Sequence, residues 1–167
     1  MITFELGQVG RLARALSAAP QIVDEELTRF MHEVTEDLQA EVQERTPTTH
    51  GTLRASIIGD VRKLPGVGIE GVVGTSLAYA AAVEYGAKPH HVGRKGIEAL
   101  TEWAKQKLGV RGKAAESAAW GVAKAIAKRG TEPVGMFRDA MADNRDQIAA
   151  HFDDALRRIE ARLGEQP

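Results

Sequence analysis

Residues 79–91, YAAAVEYGAKPHH, place two tyrosines, one glutamate, a glycine and two adjacent histidines within a short span. These residue types supply general acids, metal ligands and aromatic contacts, so chemistry is sought here first. Glu84, set between aromatic neighbours, has the surroundings of a carboxylic acid with a raised pKa, yet a single carboxylate is not a mechanism. His90 and His91 resemble metal ligands, but adjacent side chains on an extended chain point in different directions. With no carboxylate or third histidine at local ligand spacing, they read as a solvated loop. His32, His50 and His151 form no His-x-x-x-His pair, and Ser56 and Ser76 lack a nucleophile elbow or a motif-linked His/Asp partner. The chain has no cysteine, which excludes disulfides, thiolate metal sites and cysteine nucleophiles. The expectation is a protein without catalytic residues, metal or cofactor.

One motif argues for a cofactor. Gly66–Gly71, GVGIEG, matches the dinucleotide-binding fingerprint letter for letter. That fingerprint works only between a strand and a helix N-terminus, where free N–H groups hold a pyrophosphate. Here VVGT follows, which reads as more strand, and the position about 20 residues on falls in the loop PHHVGRKG rather than at an acidic strand end. Hairpin glycines are the better reading.

The charge is nearly balanced but unevenly placed. Residues 1–85 carry 7 Lys+Arg against 12 Asp+Glu, residues 86–130 carry 10 against 3, and residues 131–167 carry 5 against 8. A basic block in an acidic frame points to a face for nucleic acid or for an acidic protein partner, against the plainer reading of a solvated helix pair. Lys88, His90, His91, Arg94, Lys95, Lys105, Lys107, Arg111, Lys113, Lys124, Lys128 and Arg129 are its partner-facing or DNA-facing candidates. Trp103 and Trp120 fall on or near apolar helix stripes and read as core, so base stacking is thinly supported. Contact with a duplex backbone needs no aromatics and would be sequence-independent and salt-sensitive. No apolar run reaches the roughly 18–20 residues that cross a bilayer. The opening MITFELGQVGRLARALSAAP puts Glu5 and two arginines inside any signal core, so cytoplasmic synthesis and solubility are expected.

These residues must be held by elements, and periodicity places them in a single domain over 1–167. Val23, Leu27, Phe30, Met31, Val34, Leu38 and Val42 recur at helical spacing and predict a helix over 20–46, with Pro20 in its first turn, acids at 24–26 favouring its dipole, and Pro47 after its end. Ahead of it, alternating Ile2, Phe4 and Leu6 allow a short strand. Leu53, Ala55, Ile57, Gly59 and Val61 alternate with polar residues, LPGVG signals a turn, and IEGVVGT returns, which gives a hairpin over 52–75. Gly68, Gly71 and Gly74 permit bulges or close backbone approach. A loop over 87–95 leads to a basic helical insertion over 96–130, and a last helix runs over 136–163. The fold class is α+β: a long N-terminal helix and a C-terminal helix packed on a small antiparallel sheet, with an inserted basic helical pair.

The order of motifs carries more than any one of them. A helix ends in ERTPTTHGTLRASI, a hairpin ends in VVGTSLAYAAAVEYGAK, and GVAKAIAKRGTEPVGMFRDAM leads into the last helix. This resembles the tail-component family of long-tailed bacteriophages, the gene-product-ten-like proteins that complete tails or join heads to tails at the neck of lambdoid siphophages. The resemblance runs over nearly the whole chain. Pro47, Gly51, Leu53, Arg54 and Ser56 stand at the recurring letters of its first segment; Gly74, Thr75, Tyr79, Ala80, Val83, Glu84, Tyr85 and Gly86 at those of its second; Gly135, Phe137, Arg138 and Ala140 at those of its third. His50, Ala82 and the stretch GTEPVGMF depart from the family pattern.

The resemblance implies a structural virion protein of the tail and neck, assembled as a ring, a hexamer by analogy with the tail tube. Its partners would be copies of itself, neighbouring neck and tail-tube proteins, and the packaged DNA in the channel, with no membrane. On this reading residues 76–86 form a short helical turn with Tyr79, Val83 and Tyr85 on the sheet, Gly86 as its left-handed stop, and an Arg54–Glu84 pair fixing the corner. Residues 87–96 become a basic solvent-facing loop. A different class stands beside it: a small nucleic-acid-binding or regulatory module using the basic 88–129 segment.

Overall fold

The computed structural model describes residues 6–47, 51–65 and 68–165. In chain order it contains α1 (Leu6–Arg45), α2 (Thr52–Ser56), β1 (Ile58–Leu64), β2 (Gly68–Gly74), α3 (Ala80–Tyr85), α4 (Arg94–Leu108), α5 (Lys113–Arg129), α6 (Met136–Asp143) and α7 (Arg145–Gly164). The fold is α+β, mostly helical, with one two-stranded antiparallel sheet among the described residues. The chain forms two compact units, one of Met1–Ala40, Ile58–Gly74 and Met141–Pro167, the other of Glu41–Ile57 and Thr75–Ala140.

In the first unit, α1 supplies the platform. Pro20 does not open this helix but lies inside it, because α1 already starts at Leu6. Pro20 lacks an N–H to donate to the preceding turn. Upstream, the Leu-, Ala- and Arg-rich sequence has enough helix propensity to continue through it. The acids at 24–26 are therefore mid-helix and find side-chain partners instead of a helix terminus. The Ile2–Phe4 part of the suggested leading strand lies outside the described residues, and Leu6 belongs to α1.

The hairpin pairs without interruption from Ile58↔Gly74 to Leu64↔Gly68, so its glycines make no bulge. Gly71 has the close-approach role: a Cβ there would strike the Thr35 hydroxyl and the Met31 methyl, and one on Gly59 would strike the Thr35 methyl. Thr35 is buried, and Gln39 Oε1 accepts the Gly59 N–H at 2.6 Å, so the sheet lies directly on α1. From the other side α7 joins α1 through an edge-to-face Phe30–Phe152 pair, centroids 5.5 Å apart, with Ile22, Val34, Ala155 and Ile159 buried. Apolar contact does not by itself orient a helix, and a charged cluster around Glu26, described below, completes the join.

The second unit corrects the expected strand start. Thr52–Ser56 is a helical turn, opened by Gly51 at φ 73° and closed by the Ala55 N–H to Gly51 carbonyl bond of 2.8 Å. Leu53 and Ile57, both buried, are four residues apart, a spacing that satisfies strand alternation and a helical face equally. Ser56 Oγ donates to the Leu53 carbonyl at 2.7 Å, the local bond by which serine favours turns over strands. α4 and α5 form the expected basic pair, α4 beginning two residues before the expected start, and their buried residues Ala104, Ala115, Ala119 and Ala123 are small enough for close packing. The expected continuous last helix is two helices, α6 and α7, separated at the buried Asn144, a residue type that favours helix ends.

Candidate functional site: the motif corner and the basic helical pair

The segments that carry the family resemblance meet in the second unit. Ser56 Oγ and Thr75 Oγ1 are 2.7 Å apart and share a hydrogen bond, which ties the first segment to the second. The second and third are laced by main chain. The Ala87 N–H donates to the Thr131 carbonyl (3.1 Å), the Thr131 N–H to the Ala87 carbonyl (2.8 Å), the Val134 N–H to the Val83 carbonyl (2.9 Å) and the Gly135 N–H to the Glu84 carbonyl (3.1 Å). Buried Met136 receives the Thr46 hydroxyl on its sulfur at 3.4 Å, which joins the end of α1 to the same corner.

Glu84 sits at the centre of this lacing. It is only 6% exposed, and its two carboxylate oxygens accept the backbone N–H groups of Phe137 (2.9 Å) and Arg138 (3.0 Å). A carboxylate at the first turn of α6 satisfies donors that have no partner within the helix and complements the positive end of its dipole. The expected Arg54–Glu84 pair is therefore replaced: Arg54 is exposed, and the acceptor capacity of Glu84 is taken by backbone. Arg138 turns to Asp139 instead, Nε to Oδ1 at 2.7 Å, and this pairing holds the Asp139 carboxyl below the usual aspartate range.

Gly86 has the positive φ expected of the stop, 74°, with extended ψ. Its Hα side faces main chain so closely that a Cβ would sit on the Thr131 carbonyl oxygen; across the pairing, a Cβ on Gly130 (φ 79°) would sit on the Ala87 carbonyl. Tyr79 and Tyr85 depart from expectation. They are 50% and 79% exposed rather than packed, because the six-residue α3 turns Ala80 and Glu84, four apart, to the interior. Pro47 and Arg54 are exposed, Leu53 and Ala80 buried, and Gly51, Ser56, Thr75, Val83 and Phe137 half-buried; Gly74 ends β2 in the first unit.

The basic candidates Lys88, His90, His91, Arg94, Lys95, Lys105, Lys107, Arg111, Lys113, Lys124, Lys128 and Arg129 are all exposed, on α4, α5, the loop before them and, for Arg111, the turn between them. His90 Nδ1 lies 2.9 Å from the Lys88 carbonyl, and among the described residues no cluster of three metal-ligating side chains forms. Trp103 is half-buried as expected of core, whereas Trp120 is 52% exposed on α5. The structure also turns the charge asymmetry into a property of units. The first carries 9 Lys+Arg against 15 Asp+Glu, the second 13 against 8, giving net charges of −6 and +5.

Two features of the first unit were not legible as such. Glu26 is 1% exposed and lies within 2.8 Å of Arg158 Nε and of Arg162 Nη1, and 3.3 Å from Arg29. Burial pushes its carboxyl up, but hydrogen bonds from Arg158 and Arg162 outweigh that, and the net shift is downward. The only sequence signal was its place one turn after Ile22, against the run of neighbouring acids. An apolar groove of about 550 Å³ is lined by Val23, Leu27, Phe30, Met31, Leu64 and Ile69, with an Asp24–Lys63 ion pair at its rim.

Glu84, Ser56 and Thr75, the chemistry-bearing side chains of this corner, are engaged in capping and tying its segments together, a scaffold role within the α+β fold. Comparison with known families agrees. Residues 10–86 match the HK97-gp10-like family model, described as "Bacteriophage HK97-gp10, putative tail-component", so over this segment the chain is similar to a phage tail component. The match takes in most of α1, then α2, the hairpin and α3, hence the first two motif segments; the basic pair and the third segment lie beyond it. No curated protein and no solved structure matches the chain. Among the described residues no helix is long and apolar enough to cross a membrane.

Proposed function

We propose that the protein is a non-enzymatic component of the neck of a long-tailed phage or prophage-derived particle, where a ring of copies, six by analogy with the tail tube, completes the tail or joins it to the head. The match of residues 10–86 to a tail-component family carries this reading. The use of Glu84 and Gly86 as scaffold supports it, and so does the opposite charge of the two units. A cyclic assembly of identical subunits is built from head-to-tail contacts, so each copy needs two different, complementary faces. An acidic and a basic unit in one chain provide them.

Negative-stain microscopy of lysates from the encoding phage, with this gene closed by an early stop codon, tests the reading. Filled heads beside separate tails place the protein at the head-to-tail junction, and abnormally long tails make it the length terminator. Intact particles refute it.

The exposed basic side chains of α4 and α5 favour a second reading, a nucleic-acid-binding module. It predicts a gel shift by the isolated protein that weakens steeply with salt. No shift near physiological salt removes it.

A further inference from the structure

α5 buries Ala115, Ala119 and Ala123. On the opposite side of the helix, Lys113, Ser117, Trp120, Lys124 and Lys128 fall within about 80° of one another at 100° per residue, and all are exposed. Lysines on an outward face need no explanation. An indole left 52% exposed among them does, since tryptophan is the residue type most concentrated at the energetic centre of protein interfaces. None of the three lysines is ion-paired among the described residues.

α7 carries the complement. It buries Ala155 and Ile159, and on its far side Asp146, Asp153 and Glu160 recur every seven residues, all exposed and none ion-paired among the described residues. The neighbouring Asp154 is taken up by Arg157, the one cation within this stripe. Leu156 adds a 41% exposed apolar side chain beside it. The stripes also match in length: at 1.5 Å per residue, Lys113 to Lys128 spans about 22 Å and Asp146 to Glu160 about 21 Å.

We infer that α5 of one copy docks along α7 of a second copy, Lys113, Lys124 and Lys128 facing Asp146, Asp153 and Glu160, with Trp120 packed at the centre. This rests on the self-assembly proposed above and names its contact. A duplex would engage the lysines through phosphates and leave the indole in water, so a protein surface accounts for more of what α5 displays. The contact is heterologous: each copy keeps a free α7 at one end and a free α5 at the other, and the series closes as a ring or continues as a chain.

The absence of native cysteine allows a direct test on the full chain. Lys124→Cys and Asp153→Cys proteins are oxidised separately and as a mixture at high protein concentration. A disulfide-linked dimer should form several-fold more in the mixture than in either alone, and Trp120→Ala or high salt should suppress it roughly tenfold. Equal dimer in the separate preparations, or none in the mixture, overturns the contact, as does a Lys113/Lys124/Lys128→Glu variant that loses only a salt-sensitive DNA shift. The outcomes are independent of the stop-codon experiment. Mixed dimer with intact particles keeps the contact and removes the neck reading, while no mixed dimer with tailless heads does the reverse.

Discussion

The carboxylate of Glu84 receives the backbone N–H groups of Phe137 and Arg138, at 2.9 and 3.0 Å, across more than fifty residues of sequence. A helix start capped from so far away makes the order of α6 depend on the corner at α3. Hydrogen bonds to a charged group contribute about 1.5–3 kcal/mol, and loss of a helix cap costs about 0.5–2 kcal/mol, so Glu84→Ala should destabilise the second unit by about 2–3 kcal/mol. Glu84→Gln should cost nearly as much, because its amide NH2 would face a second N–H donor. Trp103 and Trp120 both lie in this unit, so urea denaturation followed by tryptophan fluorescence reads it directly. An unchanged midpoint for Glu84→Ala would remove the capping role.

The lacing beside Glu84 leaves no room at Gly86. Its φ of 74° disfavours any L side chain, and a Cβ would meet the Thr131 carbonyl oxygen. Strain and displaced main-chain bonds add, and Gly86→Ala should lower stability by at least about 1–3 kcal/mol in the same fluorescence experiment. Gly109→Ala gives the comparison. It has a similar φ of 68° but nothing within contact distance of the added methyl, so it should cost only the backbone strain.

That contrast also marks where sequence was informative. The helical period over 20–46 found the C-terminal two thirds of α1, and the expected hairpin over 52–75 contains the observed one from Ile58 to Gly74, because one face of each is buried against a neighbour. Leu53 and Ile57 misled, since four-residue spacing belongs to both periods and the helical choice was made by the left-handed Gly51. Gly86 was readable as a stop from local chemistry, whereas the partner of Glu84 was not: Arg54 was the available cation, but backbone donors carry no letter in the sequence. Tyr85 shows the same limit from the other side, an aromatic at an expected packing position left 79% exposed by a helix too short to bury it.

Gly71 tests how closely the sheet lies on α1. With Thr35 and Met31 already against its Hα side, Gly71→Val forces the hairpin away from the helix. Overpacking of this kind costs about 1–3 kcal/mol. The loss should appear in far-UV circular dichroism of thermal unfolding, while tryptophan fluorescence from the second unit changes less. Gly74→Ala, at a position where nothing lies within contact distance, should leave both signals near wild type.

Charge reversal on the basic pair separates folding from assembly. Lys105, Lys107, Lys124 and Lys128 are exposed, and of these only Lys105 pairs within the second unit, with Glu102. Surface substitutions of this kind usually change stability by no more than about 0.5 kcal/mol each. Changing all four to Glu should leave the unfolding midpoint close to wild type and abolish complementation of the stop-codon phage. Normal yields of infectious particles from the reversed protein would show that this face has no part in assembly.

The Glu26 cluster makes the first unit acid-sensitive with a defined sign. Arg158 and Arg162 hold a nearly inaccessible carboxylate, and Glu33 and Arg29 extend the network. Glu26→Ala removes the hydrogen bonds that Arg158 and Arg162 make to it, while these partly exposed arginines keep Glu33 and Glu25, so it should cost about 1.5–3 kcal/mol, more than either neighbouring acid. The Glu26 carboxyl is shifted below its ordinary value of 4.5, and that of Glu25 is shifted the same way, chiefly by its Arg162 hydrogen bond. A carboxyl with a lower pKa in the folded state stabilises the fold fully above its unfolded pKa, and the contribution is lost as pH falls through the folded pKa. Helical circular dichroism of the first unit should therefore hold its melting temperature from neutrality to about pH 5 and fall steeply below about pH 4.5. Glu26→Gln, already destabilised at neutral pH, should show a shallower acid slope. An equal slope in the two proteins would assign acid sensitivity to other carboxylates.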